Sequence, residues 1–138
     1  MTIPSSVIDE NGHVNNVTYV QWMQDIAVEH YASIGGIKAQ GPDATWVIRE
    51  HRVEYFLPAF AGEEIEVRTW VENVRRVRSL RKYEFVRKQD GKVLVKGETD
   101  WVFVNSKNGN PLAIPEEVIA VFNPLRPSGT SPKSATII

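Results

Sequence analysis

The sequence predicts an α+β domain with an antiparallel, five-stranded sheet and one long helix on one face of it. Two observations support this prediction. One stretch, residues 16–34, has apolar residues at helical spacing. The other predicted elements between residues 2 and 105 are short segments rich in β-branched and aromatic residues, several of which alternate between apolar and polar. The connections between these segments are mostly too short for parallel crossovers, so neighbouring strands are expected to run antiparallel.

The first predicted element is a strand over residues 2–8, which Pro4 restricts to a sheet edge or to the start of a strand. The long helix follows over residues 16–34, and two consecutive glycines are expected to end it. Asn15 or Asn16 is its predicted N-cap, because an asparagine oxygen can accept a hydrogen bond from a first-turn N–H.

A loop is predicted at residues 37–44, before the remaining strands. Four strands are predicted from residue type and alternation, over residues 45–57, 63–74, 79–88 and 92–105. Asp90-Gly91 predicts a type I′ hairpin turn, and Pro115 predicts the start of a short helix that ends near Phe122. Residues 1–123 are therefore expected to form one domain, and residues 124–138, rich in Pro and Ser, a disordered tail.

Composition limits the classes of function that fit this chain. It has 138 residues, 42% hydrophobic and 24% charged, which is ordinary for one globular domain. A net charge of −1 argues against a nucleic-acid binder. The absence of cysteine excludes disulfides and thiolate chemistry. No apolar run reaches the roughly 20 residues of a membrane helix, and no signal peptide is recognisable, so a cytoplasmic protein without membrane contact is expected.

Polar groups capable of chemistry are concentrated just before the long helix. Asp9, Asn11 and His13 lie within five residues of one another. The unpaired N–H groups and positive dipole end of a helix start can stabilise developing negative charge. Turn formation, helix capping and a solvated histidine explain the same spacing equally well. Spacing alone therefore leaves a catalytic site and an ordinary turn as alternatives.

Residues 9–22 read Asp-x-Asn-Gly-His-Val-Asn-Asn followed by x-x-Tyr-x-x-Trp, which resembles the signature of hotdog-fold acyl thioesterases. The most similar branches are the 4-hydroxybenzoyl-CoA thioesterase type and the acyl-ACP thioesterases, and the order of elements over residues 2–122 also agrees. The resemblance implies a hotdog fold, a homodimer or homotetramer with active sites between subunits, and an acyl-CoA or acyl-ACP substrate. It implies no cofactor and no metal. Val7 departs from the pattern, because many relatives carry a second acid there.

The resemblance assigns roles to individual residues of this motif. It implies that Asp9 acts on the thioester as nucleophile or as general base, two routes that it does not separate. Asn11 and His13 match residues with catalytic roles in the acyl-ACP branch. Asn16 is expected to polarise the thioester carbonyl through its backbone N–H. Gly12 is expected to let the backbone turn tightly beside the substrate.

Substrate contacts are expected from Tyr19 of the motif and from a basic cluster over residues 75–82. In this cluster Arg76 and Arg78 match a segment that lies near the CoA phosphates in related thioesterases. The same cluster could instead dock the acidic surface of acyl carrier protein, or form a solvated turn. Weaker candidates are two acids, Glu50 and Asp25, and possible walls of an acyl tunnel at Trp22, Met23, Trp46, Tyr55 and Phe60.

Three functions remain to be weighed at this point. An acyl thioesterase that uses Asp9 is favoured, because the acid accompanies the rest of the motif. A non-hydrolytic hotdog protein that binds acyl thioesters has no need of this acid. An interaction module would use the basic cluster and the tail, and it predicts that removing residues 124–138 abolishes function.

Overall fold

The computed structural model describes residues 1–122 and 135–137. Its helices are α1 (Asn16–Ser33), α2 (Gly36–Gln40) and α3 (Glu116–Phe122), and its strands are β1 (Ala44–Tyr55), β2 (Ile65–Arg75), β3 (Arg78–Arg87), β4 (Val93–Asn105) and β5 (Ala135–Ile137). The strands form one sheet in the order β1-β4-β3-β2-β5, and all neighbours are antiparallel. The predicted α+β arrangement of an antiparallel sheet and a helix is confirmed.

Helix α1 begins and ends as its sequence predicts. Asn15 is the N-cap, and its Oδ1 accepts a hydrogen bond from Val17 N at 2.9 Å. Gly35 follows the helix with a φ of 87°, a left-handed conformation that glycine adopts without a Cβ clash. One stripe of the helix is buried, formed by Tyr19, Met23, Ile26 and Ala27. Among the described residues, no helix has the length and apolar character needed to cross a membrane.

The helix packs on the inner face of the sheet, where alternate strand residues point toward it. Phe85 of β3 is 0% exposed and meets the Tyr19 ring of α1 edge-on, with ring centroids 5.1 Å apart. Gly97 of β4 lies beneath Met23, and a Cβ added there would stand 2.7 Å from the Met23 sulfur. The absence of a side chain at Gly97 therefore lets the helix approach the sheet closely.

The predicted first strand at residues 2–8 is wrong. Thr2 and Ile8 form only isolated bridges, with Glu64 and Val14 respectively, and residues Ser5–Val7 make a 3₁₀ turn between them. Pro4 is the physical reason, because it has no N–H with which to continue the ladder. Its carbonyl instead accepts a hydrogen bond from Val7 N at 3.4 Å, which starts the turn.

Two predicted connections also differ from the structure. Residues 37–44 are not wholly a loop, because Gly36–Gln40 form α2, whose Ile, Lys, Ala and Gln are compatible with a helix. Asp90-Gly91 does not form a type I′ turn, since that turn needs positive φ at both residues and only Gly91 has it. The Asp90 carboxylate instead accepts a hydrogen bond from Lys92 N and pairs with Arg87.

The sheet reaches five strands through a segment for which no strand was predicted. Residues 135–137, part of the predicted disordered tail, form β5 and pair with Val67–Thr69 of β2. The predicted count of five therefore has a different basis from the one expected. The rest of the predicted tail, residues 124–134 and Ile138, lies outside the described residues.

Two hydrophobic clusters divide the interior along α1. The first surrounds the helix start and includes Val14, Tyr19, Met23 and Phe85. The second lies at the other end, where Phe103, Ile114 and Val118 are packed by Tyr31, Trp46 and Phe122. The two ends of the helix therefore offer two separate environments for functional groups.

Candidate active site

A tight loop before α1 holds Asp9. Ile8 and Val14 form an isolated bridge, and Asp9 N donates a hydrogen bond to the His13 carbonyl at 3.0 Å inside it. Gly12 N donates to the Asp9 carbonyl at 3.0 Å, and Gly12 has a φ of 83°. Any other residue would be strained at that φ, so this glycine is needed for the turn.

The Asp9 side chain is half-buried and held on one side only. Its Oδ1 accepts a hydrogen bond from Asn11 N at 2.9 Å. No described residue donates to Oδ2. One carboxylate oxygen thus fixes the orientation of the side chain, and the other is available to a reactant.

Asn15 connects this loop to the start of α1, and it accepts hydrogen bonds from N–H groups of the first helical turn. Asn15 N donates to the Val7 carbonyl, while Val17 N and Thr18 N donate to Asn15. Asn16 is the first residue of the helix, so its N–H has no intrahelical acceptor. No described residue outside the helix accepts from it either.

The backbones of Asn11 and His13 form part of the turn, and their side chains make no hydrogen bond with a described residue. The Asn11 side chain is exposed. The half-buried His13 ring meets the Phe60 ring edge-on, at a centroid distance of 6.4 Å. Both imidazole nitrogens of His13 are therefore available for proton transfer.

Tyr19 lies in the core beneath the loop. Its ring contacts those of Trp22, Tyr55 and Phe85, and burial raises the pKa of its hydroxyl to about 12. The hydroxyl has no hydrogen-bond partner among the described residues. Tyr55 fixes the helix start in another way, because its hydroxyl donates to the Asn16 carbonyl at 3.0 Å.

The structure does not bring Arg76 and Arg78 near Asp9 within one protomer. Both lie at the β2–β3 turn, and the Arg76 carbonyl accepts from Ile114 N beside the second hydrophobic cluster. Strand β2 begins near the first cluster and spans about 30 Å at 3.3 Å per residue. Arg78 is also engaged already, since its guanidinium pairs with Asp100, whereas Arg76 is exposed.

The weaker candidates have ordinary surroundings. Asp25 is exposed and accepts a hydrogen bond from the Gln21 amide at 2.8 Å. Glu50 is exposed on β1 and lies 3.9 Å from the Arg52 guanidinium. Of the expected tunnel walls, Trp46 belongs to the second cluster, whereas Trp22, Met23, Tyr55 and Phe60 lie toward the helix start.

Sequence reasoning missed a buried polar group under the far half of α1. The Nη1 of Arg81 lies 2.9 Å from His30 Nδ1 and donates to Thr69 Oγ1 at 3.1 Å. Arg81 was grouped with the basic cluster over residues 75–82, although on β3 it lies on the same face as the buried Ser79 and Tyr83. This inward register was the signal that distinguishes it from the other arginines.

Burial and the adjacent Arg81 cation lower the pKa of His30 to about 4 from the usual 6.5. Between these values the unfolded chain takes up a proton that the folded one refuses, so stability falls as pH drops. We expect the Tm of His30→Gln to fall less between pH 7.5 and 4.5 than the Tm of the wild type. The glutamine amide oxygen can still accept a hydrogen bond from Arg81. Thermal unfolding across this range tests it, with Ala32→Gln on the exposed side of α1 as control. An unchanged dependence on pH in His30→Gln would contradict this assignment.

Asp9 lines none of three cavities among the described residues, whose volumes are about 220 to 290 Å³.

Several solved structures share this fold. The PA5185 protein of Pseudomonas aeruginosa strain PAO1 is 23% identical, with coverage of 94% of this chain and 91% of that chain and a TM-score of 0.80. Slr0204, a 1,4-dihydroxy-2-naphthoyl-CoA thioesterase from Synechocystis, is 15% identical, with coverage of 91% and 93% and a TM-score of 0.79. The DHNA-CoA thioesterase of Staphylococcus aureus is 22% identical, with coverage of 82% and 76% and a TM-score of 0.71.

Sequence comparison identifies the family. No curated protein shows significant sequence similarity to this chain. The profile of the Thioesterase-like superfamily, however, matches residues 4–122, which include the Asp9 loop, α1 and the four long strands. This chain is therefore a thioester hydrolase that belongs to the Thioesterase-like superfamily.

Proposed function

We propose that this protein hydrolyses acyl-CoA or acyl-ACP thioesters and that Asp9 is the residue that acts on the thioester. The observation that carries the proposal is the one-sided binding of the Asp9 carboxylate. Asn11 N holds Oδ1 at 2.9 Å, whereas Oδ2 has no donor among the described residues. An oriented carboxylate with a free oxygen beside a helix start is suited to acyl transfer.

Two routes are open to the Asp9 carboxylate. As a nucleophile, Oδ2 attacks the thioester carbon and the thiolate leaves, which gives a mixed anhydride that water then hydrolyses. As a general base, Asp9 takes a proton from the water that attacks the same carbon. In either route the unbonded imidazole of His13 can pass a proton to the leaving sulfur, and the Asn11 amide can orient the water.

The start of α1 supplies the electrophilic part of the proposed site. The Asn16 N–H would donate to the thioester oxygen as negative charge develops on it. Removing one such donor costs about 3 kcal/mol in other acyl-transfer enzymes, so the contribution is large. The N–H belongs to the backbone, so replacing the Asn16 side chain would leave the donor in place.

A second copy of the chain would complete the site. Strand β1 lies at one edge of the sheet, and apart from the Ala44 carbonyl, which accepts from the Gln40 amide, its outer N–H and C=O groups pair with no described residue. Several large apolar side chains at and after its end are exposed, namely Tyr55, Phe56, Leu57 and Phe60. We infer a homodimer, or a tetramer built from such dimers, in which the partner provides walls around Asp9. Arg76, distant from Asp9 in its own protomer, would then bind carrier phosphates only for the partner's site.

The names of similar structures indicate which acyl group to test first. Two similar structures bear the names of thioesterases for an aromatic acyl group carried by CoA. An aromatic acyl-CoA is therefore the first substrate to test. Tyr19 and Trp22 would line the acyl site through the aromatic cluster at the helix start.

Hydrolysis of a thioester panel tests this function. The panel contains short, medium, long and aromatic acyl groups, each attached to CoA and to acyl carrier protein. A thiol reagent detects the released thiol. We expect turnover of at least one CoA or ACP thioester. If the protein binds members of this panel without hydrolysing any, the alternative of a non-hydrolytic acyl-thioester binder is correct.

A further inference from the structure

A cavity of about 280 Å³ lies beneath the far half of α1. It is bounded by α1, α2, the end of α3 and the inner face of the sheet. Most of its lining is apolar, with the aromatic rings of Trp46, Trp101 and Phe122 and the side chains of Val28 and Ile37. The Asp9 loop stands at the other end of α1, about 17 Å away by helix rise between Asn16 and Ala27. This cavity is thus separate from the proposed thioester site within one protomer.

A buried arginine opens onto this apolar cavity. Arg81 is 3% exposed and lines the cavity together with Ser79. An arginine has five N–H donors, and the hydrogen bonds of Arg81 to described residues involve Nη1 only. No described residue accepts from its Nε or Nη2. Two donor atoms, spaced as a carboxylate requires, are therefore left without a protein partner.

No carboxylate of the described residues compensates the charge of Arg81. No carboxylate of a described residue lies within 4.0 Å of its guanidinium. Residues 123–138 contain neither aspartate nor glutamate. His30 is neutral at pH 7, because burial holds its pKa near 4, and Thr69 offers only a hydroxyl. A buried, unpaired cation is costly, so its presence in an apolar cavity calls for an anionic partner.

We propose that this cavity binds a small organic acid, with its carboxylate on Nε and Nη2 of Arg81 and its apolar body against Trp46, Trp101 and Phe122. The volume suits a compact ligand, since it lies just below the range of drug-sized sites. The carboxylate could belong to a free acid, such as a hydrolysis product, or to the distal end of a dicarboxylic acyl group. The second source rests on the proposed thioesterase activity, whereas binding of a free acid does not.

Titration calorimetry with 3-phenylpropionate tests the proposal, with the neutral analogue 3-phenylpropanol as the matched ligand. We expect the acid to bind at least about tenfold more tightly than the alcohol, and Arg81→Met to remove this preference. Lys82→Met, the next residue on the opposite face of β3, is the control and retains the preference. Val28→Trp, which fills the cavity mouth and leaves the Arg81 charge, is expected to weaken binding of both ligands.

A kinetic arm distinguishes the two sources of the carboxylate. If Arg81→Met lowers kcat/KM for glutaryl-CoA but not for butyryl-CoA, the bound carboxylate is part of the acyl group. If calorimetry shows binding and Arg81→Met changes kcat/KM equally for the two thioesters, the bound carboxylate belongs to a free acid. The proposal is overturned if the acid binds wild type and Arg81→Met equally. It is also overturned if the acid does not bind wild type. A lower oligomer mass of Arg81→Met would then show that a carboxylate of a second copy pairs with Arg81.

Discussion

Replacing Asp9 with asparagine is expected to lower kcat/KM for the best thioester by about 10²–10⁴-fold, the range for loss of a positioned acid or base. The fold should persist, because the asparagine Oδ1 can still accept the hydrogen bond from Asn11 N. The backbone bonds from Asp9 N to His13 and from Gly12 N to Asp9 do not involve the side chain. The variant therefore removes the negative charge and leaves the turn.

Glu10→Gln is the matched control for Asp9→Asn. Glu10 is the adjacent acid, is exposed, and makes no hydrogen bond or ion pair with a described residue. Steady-state hydrolysis and thermal unfolding are measured on both variants. If Asp9→Asn retains activity within about threefold of wild type, the role of Asp9 fails, whereas activity lost together with Tm would show a structural effect of the substitution.

Replacing Phe85 with alanine is expected to reduce the free energy of unfolding by about 3–5 kcal/mol. Phe85 is 0% exposed, and its ring supports both Tyr19 and Trp22 of α1. Truncation leaves a cavity where the helix rests on the sheet, and the aromatic contacts that fix the helix start are lost. We also expect reduced turnover at a temperature where the variant is still folded, because α1 would no longer be held in place beside the Asp9 loop.

Urea unfolding of Phe85→Ala and Ile119→Ala separates a core effect from the loss of any large apolar side chain. Ile119 is 37% exposed on α3, so its truncation should cost less than about 1 kcal/mol. Equal costs for the two variants would mean that Phe85 is not the support of the helix. A lower unfolding slope with denaturant would instead indicate a change in compactness.

Local sequence signals predicted the elements that local forces determine. The long strands alternate because one face meets the helix, and Asn15 and Gly35 mark the helix ends through their own backbone preferences. The two segments that were wrong have different causes. In residues 2–8, Pro4 has no N–H with which to continue a ladder, and a 3₁₀ turn forms instead. Ala135–Ile137 form a strand because β2 offers them an edge, which their own residues do not encode.

The candidate site divides in the same way. The Asp9 loop, with Gly12 in a left-handed conformation, follows from its residues, so the motif alone indicated its shape. The position of Arg76 at the opposite end of the sheet follows from strand direction, which the motif does not contain. Arg81 is a third case, because its charge suggested a surface position, whereas its register on β3 places it on the buried face.

The two edges of the sheet differ in a way that limits how copies can join. Residues 1–3 bond to Glu63 and Ile65, and β5 pairs with Val67–Thr69, so additional backbone occupies one border near the start of β2. The border formed by β1 has no such cover from a described residue. If two molecules pair along β1 about a two-fold axis, each covers the β1 edge of the other. No free β1 edge then remains for a third molecule, so the sheet does not extend into an open-ended fibre.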